Sequence, residues 1–306
     1  MNNLIKPLLF VAFALVAVPA MADTPIHQSH ALDPDAELTV RNVSGAIIVH
    51  TWDRHEVRIT GTLGNNVRKL EIDGDAHELE IAVKGPNDDD SGWLDWGSDS
   101  SMGPTTLELT VPKSVNLELH TVSARIEADG LDGGEIDAKS VSGNITIKAH
   151  SPDIDIDSVS GDVRFSGQAG EIEITTVSGD IRAGQAGHEA NTQSVSGDIH
   201  LSGGPLHEVS MESVSGDLFF DGALTADAKA DLHSMSGDIH LTLPEPPQAT
   251  LKATTFSGDI RSPWGKVNEP EYGPGSKLDT RIGSGDARIT LKTFSGDVDI
   301  RKGTSE

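Results

Sequence analysis

The chain has 306 residues, of which 32 are glycine, 4% are aromatic and none is cysteine, and its 48 acidic against 23 basic residues give a formal net charge of −25. Without cysteine there is no disulfide framework, no thiolate metal site, no cysteine nucleophile and no lipid-modified cysteine behind a leader. So acidic a chain repels a nucleic-acid backbone, and many glycines with few aromatics fit tight turns around a thin core better than an ordinary globular enzyme.

Residues 1–22 read as an export signal: a single charge at Lys6, an apolar run from Leu8 to Val18, and the small-residue pattern Ala20-Met21-Ala22, with cleavage expected after Ala22. The run is too short for a transmembrane segment, which takes about 20 apolar residues. A periplasmic or secreted protein is expected. Its charge becomes −26, because Lys6 leaves with no acid. Residues 23–34 read as a flexible N-terminus. From 35 to 120 apolar and polar residues alternate with period two, as in Leu38-Thr39-Val40, Val57-Arg58-Ile59 and Leu107 to Val111. This predicts an N-terminal β section that caps the remainder of the chain. An acidic loop, 85–104, interrupts it with Asp88, Asp89, Asp90, Trp93, Asp95 and Trp96.

Residues 121–300 are repetitive. S-V-S-G-N-I (140–145) returns as S-V-S-G-D-V (158–163), T-V-S-G-D-I (176–181), S-V-S-G-D-I (194–199), S-V-S-G-D-L (213–218), S-M-S-G-D-I (234–239), T-F-S-G-D-I (255–260) and T-F-S-G-D-V (293–298). Gly143, Gly161, Gly179, Gly197, Gly216, Gly237 and Gly258 are spaced 18, 18, 18, 19, 21 and 21 apart. Weaker copies stand at 43–47 and 122–126. No unit holds a helix-length amphipathic stretch, and 18 residues cannot accommodate a strand, a helix and two turns. One coil also buries too little apolar surface to offset its own ordering, so coils must stack. The prediction is an all-β, parallel β-solenoid, β-helix-like, with two short strands per 18–21-residue coil. Val159, Val177, Val195 and Val214 would form one interior column and Val163, Ile181, Ile199 and Leu218 another. A bend between Ile174 and Val177 would keep both inside, and Met235, Phe256 and Phe294 would widen the core toward the C-terminus. The stretch containing Pro263, Trp264, Pro270, Tyr272 and Pro274 reads as an extruded loop, and 301–306 as a tail.

Four sets of residues could carry chemistry. Asp162, Asp180, Asp198, Asp217, Asp238 and Asp259 occupy equivalent positions, about 4.8 Å apart if successive coils pair in register. The favoured role for this ladder is acceptance of turn amides; the alternative is a row of weak Ca²⁺ sites. Ser142, Ser160, Ser178, Ser196 and Ser215 recur without a histidine or lysine beside them, which points to turn hydroxyls and not nucleophiles. His200 and His240 share a motif position as surface residues. Trp93, Trp96 and Trp264 are the candidate binding residues, since loop tryptophans are enriched at recognition sites, against the alternative that they cover a solenoid face.

The opening R-N-V-S-G-A-I-I-V-H-T-W (41–52), L-T-V-P (109–112) leading into V-N-L-E-L-H-T-V-S (115–123), and the S-G-D coils to Gly296 together resemble the bacterial "putative adhesin" family, domain of unknown function 4097, over roughly residues 35–300. The resemblance implies an envelope-associated β-solenoid with no established reaction and no catalytic residues to carry across. The functional expectation is a non-enzymatic envelope binding or scaffold protein, adhesin-like, that presents a rigid β surface to a polymer or protein partner. A Ca²⁺-stabilised surface repeat protein and a polysaccharide-active β-helix enzyme are the alternatives.

Overall fold

The structure, a computed structural model, describes residues 24–86, 102–244, 247–269 and 274–303. Every named element among them is a β-strand. The expected export signal and the greater part of the acidic loop, with Trp93 and Trp96, lie outside the described residues.

The chain is an all-β, parallel β-solenoid. Its repeat runs from one Ser-Gly-Asp corner to the next: Val163–Thr176 leads into a corner at 177–180, and Ile181–Ser194 leads out of it. Units pair in parallel and in register, so Ile145, Val163, Ile181, Ile199 and Leu218 stack as one column. Ile154, Ile172, Ala190, Val209 and Ala230 stack as a second column on the strand entering each corner. Both columns are buried, with exposures of 0 to 1%. Midway between corners the register slips, as between Phe165 and Ala169 against the next unit. A coil is therefore two straight segments joined by an irregular bend.

The Val column is not interior. Thr176 is 1% exposed, whereas Val177 is 43% exposed, and Val141, Val159, Val195 and Val214 are exposed to 43–45% like it. Met235, Phe256 and Phe294 lie outside as well, at 61, 50 and 58%, so the core does not widen around them. Alternation runs unbroken through Ile172, Ile174 and Thr176, all buried. The bend falls one step later, in the corner, where two successive residues, Val and Ser, both face out. The inside of the corner is already filled by the Ser or Thr hydroxyl and the glycine backbone.

Stacking order departs from chain order at both ends. Glu37–Trp52 is a full unit, lying between Asn116–Asp132 on one side and Glu78–Lys84 with Thr105–Pro112 on the other. Antiparallel strands Thr24–Ala31, Glu56–Leu63 and Lys69–Gly74 complete that end. At the other end the unit formed by Ala287–Thr293 and Val298–Gly303 inserts between the unit ending at Pro244 and the one formed by Ala249–Thr255 and Ile260–Arg261. Ser276–Ile282 then pairs antiparallel with Ala249–Thr255 and ends the parallel ladder.

The corners are packed to the limit. A Cβ built on Gly179 would lie 2.0 Å from the Gly161 carbonyl oxygen, and one on Gly197 1.9 Å from that of Gly179. At Gly184, on a straight segment, the nearest atom would be the Ser202 hydroxyl at 3.6 Å. Urea unfolding is expected to show Gly179→Ala destabilised by about 1–3 kcal/mol or more and Gly184→Ala within about 0.5 kcal/mol of the parent.

Candidate interaction surface

Each corner is held by a buried hydroxyl. The Gly143, Gly161, Gly179, Gly197 and Gly216 amides donate to the Ser140, Ser158, Thr176, Ser194 and Ser213 hydroxyls at 2.8–3.1 Å. This first Ser or Thr of the motif is the turn hydroxyl. The second, the expected Ser142-to-Ser215 ladder, is exposed. Ser142 and Ser160 donate to the Val122 and Val141 carbonyls of the neighbouring unit, at 3.1 and 3.2 Å. Corner amides bridge units too: Val159 donates to the Ser140 carbonyl at 3.1 Å and Ser160 to that of Val141 at 2.9 Å.

With backbone and hydroxyls committed, the Val position has only solvent to face. In stacking order Val141, Val159, Val177, Val195, Val214, Met235, Phe294 and Phe256 form one exposed apolar ridge. Its eight members span about 34 Å at the ~4.8 Å spacing of paired strands. The Phe256 and Phe294 rings stack at 4.8 Å and 7°. A shallow groove runs beside the ridge, with Val177, Val195, Val214 and Met235 on one wall and Thr175, Gln193, Glu212 and His233 on the other. A continuous exposed row of this kind marks an interaction surface more often than scattered surface apolars do.

On the far side of the corner the aspartates form a bonded ladder. The amide of each donates to Oδ1 of its predecessor: Asp162 to Asn144 at 3.1 Å, Asp180 to Asp162 at 3.3 Å, Asp198 to Asp180 at 3.2 Å, Asp217 to Asp198 at 3.0 Å and Asp238 to Asp217 at 2.8 Å. Asp259 does not follow Asp238. The inserted unit places Asp297 between them, with Asp297 donating to Asp238 at 2.8 Å and Asp259 to Asp297 at 2.9 Å. Arg164, Arg182 and Arg261 pair with Oδ2 of Asp162, Asp180 and Asp297 at 3.1, 3.2 and 3.4 Å. Among the described residues no three His, Cys, Asp or Glu side chains form a group that could hold a metal ion.

The strands entering the corners carry a second acidic array that sequence reading missed. Asp153, Glu171, Glu189 and Glu208 stand in register, as do Asp137, Asp155 and Glu173. Burial first, then the neighbouring Asp137 and Asp157 carboxylates, holds the Asp155 carboxyl above its ordinary range. The period-two spacing of acids before each motif was the available signal.

On the strands leaving the corners, His200 and His240 flank Phe219 in one stack, at 4.3 and 4.6 Å with planes 1° and 12° apart. Burial, then Arg182, lowers the His200 pKa. Trp264 is half-buried, packs against the core and has the Lys302 ammonium 5.9 Å from its ring centroid. Trp52, not singled out from sequence, donates from its indole to the Glu56 carbonyl at 2.9 Å, under the Arg54 and Arg58 guanidiniums at 4.8 and 4.5 Å.

A family model, Toastrack DUF4097, matches residues 34–301. No curated protein matches the chain. Among solved structures, a "putative lipid binding protein" from Parabacteroides distasonis is 12% identical, covering 92% of this chain and 97% of its own, with a TM-score of 0.48. A "putative adhesin" from Bacteroides fragilis is 13% identical over 92% and 98%, with a TM-score of 0.38.

The bonded ladder and the acidic array make distinct contributions to stability. Asp180→Asn keeps an oxygen for the Asp198 amide and is expected within about 0.5 kcal/mol of the parent, whereas Asp180→Ala leaves that amide unpaired and loses about 1–3 kcal/mol; urea titration measures both. Thermal unfolding in millimolar CaCl₂ and in EDTA is expected to coincide; a higher melting temperature with calcium would favour the cation reading of the ladder instead. Because the Asp155 carboxyl is raised on folding, its favourable contribution is present at acid pH and lost as pH rises through the folded value. Asp155→Asn is therefore expected to melt higher than the parent at neutral pH, the difference shrinking below the carboxylate range.

Proposed function

This chain belongs to the Toastrack DUF4097 family, and from that premise we propose a non-enzymatic binding or scaffold protein of the cell envelope, periplasmic or secreted, that presents its solenoid surface to a polymer or protein partner. The observation that carries the reading is the apolar ridge. Eight exposed apolar side chains are held in line by a bonded corner at every coil. A row this regular costs solubility and adds nothing to the core, which the Ile and Leu columns already fill. A partner that covers it recovers the hydrophobic free energy left on the surface.

The side chains suited to catalysis are engaged otherwise. The motif aspartates accept amides, the buried motif hydroxyls close the corners, and Ser142 and Ser160 beside the ridge donate to carbonyls of the neighbouring unit, with no histidine or lysine recurring next to the motif serines. The export expectation for residues 1–22 places the protein where envelope polymers and envelope proteins are both within reach.

Purified protein is expected to bind isolated envelope fragments saturably. The triple variant Val177→Ser, Val195→Ser, Val214→Ser is expected to bind about tenfold more weakly with an unchanged melting temperature, since these side chains lie outside the core. Incubation with a panel of neutral and acidic glycans is expected to release no product. Turnover of any of them, lost on a point substitution, would overturn the non-enzymatic reading.

A further inference from the structure

We infer that the groove beside the ridge receives a basic, amphipathic polypeptide segment, one stripe of which packs on the Val-Met row while its lysines and arginines meet the acidic face of the entering strands. The inference rests on the binding-module reading and adds the chemistry of the partner.

The two acidic arrays differ in how their charge is compensated. Around the motif aspartates the protein supplies its own compensation, through the amide of the next aspartate and through Arg164, Arg182 and Arg261. The array on the entering strands has little. Asp153, Glu171, Glu189 and Glu208 stack one coil apart, and the segments 153–157, 171–175 and 189–193 contain no lysine, arginine or histidine. Among the described residues the array's internal cations are Lys139, which pairs with Asp137 at 2.7 Å and also attracts Asp155 and Asp157, and Lys229, which pairs with Glu208 at 3.1 Å. Like charges held at such spacing repel, and the rise of the Asp155 carboxyl, where the Asp137, Asp157 and Glu173 carboxylates add to burial, reports the same repulsion.

The uncompensated acids lie on the same strands as the apolar row, beyond the groove's far wall of Thr175, Gln193, Glu212 and His233. Val177 follows Glu171, Glu173 and Thr175 in one strand and corner, and Val195 follows Glu189, Asn191 and Gln193 in the next. An occupant must therefore be apolar along the line that meets the ridge and cationic on the line that reaches past the groove wall to the acids. A second copy of this chain would bring another −25 of formal charge, and an anionic lipid surface or acidic glycan would be repelled likewise. A basic amphipathic segment satisfies both stripes. The ridge length of about 34 Å matches a helix of about 22 residues.

The test uses the full chain and three fluorescent peptides, each about 22 residues long to match the ridge: an amphipathic Lys/Leu helix, its Glu/Leu counterpart, and a Lys/Leu sequence of the same composition with the amphipathic pattern scrambled. Anisotropy titration is expected to show saturable binding of the amphipathic Lys/Leu peptide, about tenfold or more tighter than either control. Glu171→Gln with Glu173→Gln and Glu189→Gln is expected to weaken it about fivefold or more and to flatten its salt dependence. Val177→Ser with Val195→Ser is expected to weaken it about tenfold without changing the melting temperature. Equal binding of the Glu/Leu or scrambled peptide, or indifference to either set of variants, would overturn the inference. So would self-association of the parent at low salt, or ridge-dependent binding to phosphatidylglycerol vesicles in place of the peptide. If envelope fragments still bind through the ridge while the peptide does not, the partner chemistry is wrong and the binding-module reading stands. Selective peptide binding without envelope binding would uphold the partner chemistry and overturn the envelope assignment.

Discussion

From Gly161 onward the glycine carbonyl of one corner occupies the volume that a side chain on the glycine of the next corner would need, and the Ala124 carbonyl does the same beneath Gly143. That contact sets how closely the corners approach, and the rest of the structure is arranged around it. Coils this close can pair strand to strand in register, so the Ile and Leu columns run unbroken and seal a narrow core. The same closeness leaves no room inside the corner for anything larger than a hydroxyl. The Ser or Thr hydroxyl turns inward to take the glycine amide, and the apolar residue beside it is pushed out to solvent. A packing requirement of the backbone thus creates the exposed ridge.

Much of this is legible in the sequence, and the errors have particular causes. The spacing of Gly143 through Gly258 and the alternation around it point to the parallel solenoid, because period-two burial is read directly from apolar positions. The same alternation misplaces Val177 and its equivalents when it is carried on into the turn. The strand ends in fact at Thr176, a polar residue buried for its hydroxyl. Hydropathy cannot distinguish a Thr that is inside because it bonds a glycine amide from one that is outside because it is polar. Phe219 escapes notice between His200 and His240 for a related reason: Leu218, Phe219 and Phe220 look alike in hydropathy, and only register separates the outward ring from its inward neighbours. The two tryptophans of the acidic loop fall outside the described residues, while Trp264 lies against the last coils.

The two acidic arrays show how one residue type serves opposite ends. At the motif position each aspartate accepts the next aspartate's amide, and carboxylate and amide succeed one another along the stack. On the entering strands the acids are aligned in register without such a chain, and apart from Asp137 and Glu208, which pair with Lys139 and Lys229, they have no ion-pair partner within the array among the described residues. A net charge near −25 therefore overstates how much negative potential is available to a partner on one side of the corner and understates its concentration on the other. Charge counting alone would treat the sides as equal.

The displaced order of the terminal units gives the molecule a mechanical character. Val298–Gly303 pairs along its length with Ile239–Pro244, and its first two residues pair also with Ile260–Arg261, while Glu37–Trp52 is enclosed on both sides near the other end. Tension applied through Gly303 along its strand would have to slide that strand along Ile239–Pro244, loading several backbone hydrogen bonds together. In a stack wound strictly in chain order the last coil would sit at the edge and could be peeled away bond by bond. Placing Val298–Gly303 one position short of the end of the stack converts peeling of that strand into shear.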